Sequence, residues 1–149
     1  MLKSQTISIP ISRPYDEVYE FLAEPRNFPS WASNLGSSFE HLSGLEWVTQ
    51  TRKGRVILRF APRNEFGILD HAVYAEGTTP LTTPMRLIAN EQGAEVLFTL
   101  LQRPGMSDEQ FASELEWVRS DFEALRSLLE AGAVNEVVFH QEADDSSHS

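Results

Sequence analysis

The chain of 149 residues contains no cysteine, which excludes a disulfide framework and any thiolate metal site. No apolar run approaches the roughly 18 residues of a membrane span, and the N-terminus carries no signal-type apolar stretch. A cytoplasmic protein without a membrane span is therefore expected. Positive charge is scarce: 12 Lys and Arg stand against 22 Asp and Glu, a net charge of −10. So acidic a surface repels phosphate backbones, and no basic patch interrupts it, so no nucleic-acid partner is expected. There is no Gly-x-Ser-x-Gly and no Gly-rich phosphate loop. The four histidines, at 41, 71, 140 and 148, lack ligand spacing, so neither a metal nor a cofactor is expected.

What is present suits one globular domain. Hydrophobic residues make up 41% of the chain and charged residues 23%, enough apolar material to build a core without staples. Residues 1–132 read as that domain, and 133–149 as an acidic, mostly disordered tail. Within the tail, 134–139 is apolar and could dock on the domain or on a second copy, leaving a homodimer open. His140, Glu142 and Asp144 read as solvated rather than as a cation site.

Ile7, Ile9 and Ile11 alternate with Thr6, Ser8 and Ser12, the period-2 pattern of a half-buried strand. Pro10 falls on the outward side and suits an edge. Ser12 and Pro14 predict the cap and first turn of a helix whose buried stripe is Val18, Phe21 and Leu22. A short helical turn is expected from Asn27 to Trp31. Residues 36–103 read as a meander of strands parted by turns such as Ser43-Gly44, Lys53-Gly54 and Gln92-Gly93. Ser107 with Gln110 forms a capping box. It opens a helix of about 25 residues, with Phe111, Leu115, Val118, Phe122, Leu125 and Leu129 on one face and Gly132 as its stop. A strand, helices, a meander and one long amphipathic helix make an α+β layer fold.

The order of elements resembles the helix-grip fold of the START-like, or SRPBCC, superfamily, and within it the polyketide cyclase/dehydrase-like group. The resemblance rests on residues 7–14 with Val18-Tyr19-Glu20-Phe21-Leu22, on Asn27-Phe28-Pro29 with Trp31-Ala32, on Arg59 to His71, and on Pro104-Gly105-Met106 before the long helix. It implies a curved antiparallel sheet wrapped around the C-terminal helix, with a hollow between them for a hydrophobic small molecule. The expected lining is Val56, Leu58 and Phe60 from one strand, Leu69, His71 and Val73 from the next, Phe98, then Phe111 and Leu115 from the helix, with Trp31 at the mouth.

Strand parity puts His71 on the inner face and Asp70 on the other, so a direct dyad is not expected. Asp70 is expected to pair with Arg55 or Arg59 across the strands. His71 could act as acid or base on a carbonyl or enol compound, against the ordinary alternative of a hydrogen-bonded core histidine. Arg59 should face solvent, and Asn64 should hold a turn. Trp47 and Trp117 could line a mouth or simply pack, and Glu114 shares the flank of Trp117. Three functions follow: a binding protein for an apolar, aromatic or lipid-like molecule; a cyclase/dehydrase-like enzyme using His71; or a protein-interaction module.

Overall fold

A computed structural model describes residues 1–33, 35 and 38–132. The alternation near the N-terminus produces β1 (Ser4–Ile11), with Ile7, Ile9 and Ile11 buried and the residues between them exposed. β1 pairs antiparallel with β8 (Gly93–Leu101), setting Ile7 opposite Phe98 and Ile9 opposite Val96. Opposed residues share a face, so the apolar sets of both strands point the same way. β7 (Met85–Asn90) pairs with the other edge of β8 and adds Met85 and Leu87 to that face. These three strands form one sheet, ordered β1-β8-β7.

α1 spans Tyr15–Leu22 and buries Val18, Tyr19 and Phe21. It does not begin at Ser12. Pro14 is its N-cap, in an extended conformation with φ −58° and ψ 144° and no side-chain cap. The reason is steric: a proline disfavours the helical region for the residue before it, here Arg13, so the helix starts only after Pro14. The Ser12 N–H instead donates to Glu130 Oε2 at 2.8 Å. The expected short turn is a 3-10 helix, Pro25–Ser30.

The meander forms a second sheet of five strands in chain order: β2 (Glu40–Ser43), β3 (Glu46–Thr51), β4 (Gly54–Phe60), β5 (His71–Ala75) and β6 (Thr82–Thr83). Its register opposes Trp47 to Leu58, Leu58 to Val73, and Phe60 to His71. These residues therefore share one face. The two sheets are stitched together between residues 67–69 and β7. Ile68 bridges to Arg86, the Leu69 N–H donates to the Met85 carbonyl, and the Leu87 N–H donates to the Gly67 carbonyl, each bond 2.9 Å long.

Asn64 fixes the loop that leads into this stitch. Its Oδ1 accepts from the N–H groups of Phe66 and Ile68, and its Nδ2 donates to the carbonyls of Pro62 and Ile68. The side chain thus uses all four of its hydrogen-bonding positions on turn backbone, the role expected for it. Arg59 is exposed, as expected, beside Glu46 and Tyr74.

α2 runs Asp108–Glu130 and carries the capping box in full: Ser107 Oγ accepts from the Gln110 N–H, and Gln110 Oε1 accepts from the Ser107 N–H. Phe111, Phe122, Leu125 and Leu129 are buried against the three-stranded sheet and α1, while Leu115 and Val118 are partly buried. Gly132, at φ +79°, follows the last turn and donates to the Leu129 carbonyl. This is the helix stop expected there. No described helix is long and apolar enough to cross a membrane. The readings placed on 133–149, including the apolar 134–139 stretch and His140, lie outside the described residues.

Candidate functional site

α2 packs along β1, while the inner face of the five-stranded sheet is not fully covered. Val73, which parity turns toward that face, remains 41% exposed. The gap is a cleft of about 250 Å³. β5 contributes His71 and Val73, β8 contributes Phe98, and the segment around the 3-10 helix contributes Phe28, Ala32 and Leu35. From α2 come Glu114, Trp117, Val118 and Asp121. Their spacing of i, i+3, i+4 and i+7 places them on one flank, beside the buried stripe.

His71 lies among rings. Its imidazole centroid is 5.8 Å from that of Phe28, 6.0 Å from Phe98 and 6.4 Å from Phe60. Its Nδ1 is 3.2 Å from the Leu69 carbonyl oxygen. A carbonyl only accepts, so Nδ1 carries the proton, and Nε2 keeps a lone pair that has no partner among the described residues. Burial pushes the pKa of His71 below its ordinary 6.5, opposed in part by the Leu69 bond and the negative charge of Asp70. The ring is therefore neutral at pH 7.

A consequence for stability follows from that depressed value. Below about pH 6.5 the unfolded chain takes up a proton that the buried ring still refuses, so the unfolded state binds more protons and stability falls as pH falls. The expected loss begins below pH 6.5, approaches about 1.4 kcal/mol per pH unit from this group, and stops once the folded ring protonates. Urea unfolding of wild type and His71→Gln between pH 7.5 and 5 checks it. Parallel pH profiles for the two would contradict this origin.

Asp70 does not pair with Arg55 or Arg59. Its Oδ1 accepts from the Met85 N–H at 2.9 Å and pairs with Arg86. The bridge between Ile68 and Arg86 brings β7 alongside, so the guanidinium that reaches Asp70 comes from the other sheet. Arg55 pairs instead with Glu76, and Arg59 with Glu46. Asp70 stands off His71, as parity requires. Among the described residues, no three His, Asp or Glu side chains converge as a metal site needs.

Of the ten residues expected to line a hollow, the structure brings His71, Val73 and Phe98 to the cleft wall. Trp31, Leu58, Leu69 and Phe111 are buried in side-chain packing, and Val56, Phe60 and Leu115 are half-buried and do not line the cleft. Trp31 stacks on Phe122 with centroids 5.5 Å apart and meets the edge of Phe28. Trp47 stacks on Phe39. Trp117, by contrast, is 51% exposed and lines the cleft with Glu114. Sequence reasoning did not single out Phe28 or Asp121. The helical spacing from Glu114 would have found Asp121, whose Oδ2 accepts from the Ser33 N–H at 3.2 Å.

A wider groove of about 590 Å³ follows residues 103–106 and the first turns of α2, sharing Glu114 and Trp117 with the cleft. None of the side chains lining it is buried. The cleft, with a buried imidazole, the half-buried Phe28 and the buried Phe98 in its wall, is the better candidate site.

The antiparallel sheets and long C-terminal helix define the helix-grip class of α+β folds. No family model matches the chain, and no curated protein matches it. Solved structures do. The Aha1 dimer from Colwellia psychrerythraea aligns with a TM-score of 0.65 at 13% identity, over 87% of this chain and 98% of that one. Ara h 8.0201 aligns with a TM-score of 0.62 at 12% identity, over 92% of this chain and 100% of that one. DynU16, a protein of the dynemicin biosynthetic locus, aligns with a TM-score of 0.64 at 15% identity, over 87% of this chain and 48% of that one. At these identities the likeness is one of fold.

Proposed function

We propose that the chain is a small-molecule binding protein whose guest is an apolar or aromatic compound of one or two rings, held in the cleft between α2 and β5. The observation that carries this reading is the exposed inner-face Val73 beside Phe28, Phe98 and Trp117, with the Nε2 of the largely buried His71, unpartnered among the described residues, to orient a guest. The volume of about 250 Å³ falls just under the roughly 300–1,000 Å³ that drug-sized ligands occupy, so the guest is small. An aromatic guest burying about 200 Å² gains roughly 5 kcal/mol of transfer energy, and the cost of association is set against it, so weak binding is expected.

Binding ranks above cyclisation or dehydration because His71 has no second acid or base in contact with it among the described residues. Asp70 is engaged by Arg86 and the Met85 N–H on the other side. Titration with 2-(1-naphthyl)ethanol, followed by amide shifts, tests the reading. The expected result is saturable binding with shifts at His71, Val73 and Trp117. Val73→Trp, which fills the cleft from an exposed position, should weaken it by about tenfold or more with little change in Tm. Binding that ignores Val73→Trp, or shifts spread over the whole surface, would overturn it.

A further inference from the structure

We infer that the guest carries a protonated amine, so that the cleft selects cations over carboxylates of the same shape; this rests on the cleft being the binding site. Among the described residues its charged lining is Glu114 and Asp121, with no Lys or Arg. The two carboxylates lie two helical turns apart on the α2 flank, with Trp117 between them. Glu114 makes no ion pair or hydrogen bond among the described residues. Asp121 spends one oxygen on the Ser33 N–H.

The acidic pair alone would be an ordinary solvated flank. The second observation is His71. It is only 9% exposed, it lines the same cleft, and its Nε2 has no partner among the described residues. Because the Leu69 carbonyl fixes the proton on Nδ1, Nε2 is an acceptor. The ionisable groups around the cleft thus all present acceptors: a lone pair inside and two carboxylates at the rim. Such a set is complemented by a guest rich in donors, and an ammonium is a donor at every N–H and carries the compensating charge. The rings of Phe28, Phe98 and Trp117 fit the apolar body, and the face of Trp117 adds cation–π attraction for a charge at the rim. A carboxylate guest would meet two like charges and, among the described lining side chains, only the neutral donors of the Thr83 hydroxyl and the Trp117 indole N–H, with no cation to offset them.

The test compares three naphthalenes of matched size: 2-(1-naphthyl)ethylamine, 2-(1-naphthyl)ethanol and 1-naphthylacetate, titrated into the full chain by amide shifts and calorimetry. The expected order is amine, alcohol, acid, with the amine about tenfold tighter than the acid at low salt and the advantage shrinking at 0.5 M salt, on the order of the screening expected at a solvent-facing rim. Glu114→Gln and Asp121→Asn together should remove the amine's advantage and leave the alcohol unchanged. Glu116→Gln, which removes the same charge from the exposed helix face, should leave it intact, separating the cleft from the general field of an acidic chain. Equal binding of all three compounds, or a preference for the acid, would overturn the cation preference while leaving the cleft a binding site. An amine advantage that survives the double variant would also overturn it. If none of the three binds, the binding reading falls together with this one.

Discussion

Replacing Gly67 by alanine should cost about 3 kcal/mol or more, because two separate penalties coincide there. The residue sits at φ +70°, a left-handed conformation that costs an L-residue with a Cβ roughly 1–2 kcal/mol. A Cβ at this position would also lie 2.2 Å from the Leu87 carbonyl oxygen and 2.8 Å from the Tyr15 hydroxyl. The first neighbour is backbone, so it cannot swing aside. Nor can the chains part freely, since the Leu87 N–H is bonded to the Gly67 carbonyl and the Leu69 N–H to that of Met85. Relief of the clash would open the stitch between the sheets. Gly77→Ala is the control: its φ of +89° carries the conformational penalty, but no atom lies within 4 Å of the added carbon. It should lose about 1–2 kcal/mol. In a chain of this length each kcal/mol shifts Tm by roughly 2–4 °C, so Gly67→Ala should melt about 6–12 °C below wild type. Equal losses at the two glycines would show that the close approach contributes nothing.

Phe122→Ala should be at least as damaging, at about 3–5 kcal/mol. Phe122 is 1% exposed, stacks on Trp31 and meets the edge of Phe98 at a centroid distance of 5.3 Å. Its removal leaves a void under two rings that cannot collapse together, because Trp31 is held by the 3-10 segment and Phe98 by the β1–β8 ladder. Trp117→Ala removes a larger ring from the same helix yet should fall within about 1 kcal/mol, since that ring is half exposed and surface positions carry little stability. Urea unfolding of the two variants measures both. A loss below about 1 kcal/mol for Phe122→Ala would mean that the core closes over the gap, contrary to this packing. The pair also separates stability from binding: Trp117→Ala should lower affinity for aromatic amines in a chain that still folds.

The fold was legible where a local pattern had one physical solution. The capping box at Ser107 and Gln110 and the 3.6-residue recurrence from Phe111 to Leu129 defined α2, and the alternation at Ile7, Ile9 and Ile11 defined β1. Where two local rules competed, the reading slipped. Ser12 is a good cap by residue type, yet the steric effect of Pro14 on Arg13 moves the helix cap two residues on, to Pro14. β2, Glu40–Ser43, has all four residues exposed, so no buried alternation marked it. Strand parity placed His71 and Val73 on the inner face and separated Asp70 from His71. It could not tell which apolar residue borders a cleft and which lies packed behind it, since Leu58 and Val73 oppose each other in the register and differ only in what covers them. The partner of Asp70 was likewise invisible, because Arg86 reaches it only through the junction of two sheets.

The pairing of β1 with β8 has a bearing on how the molecule assembles. Thr6 and Thr99, whose hydroxyls are bonded at 2.8 Å, are 93 positions apart, whereas β2, β3 and β4 follow one another through tight turns. Closing so long a loop is entropically costly and delays non-local contacts relative to hairpins. On a ribosome β1 emerges well before β8 and stays without its mate until residue 101 has left the exit tunnel. Its three isoleucines are then the segment in greatest need of shielding during synthesis.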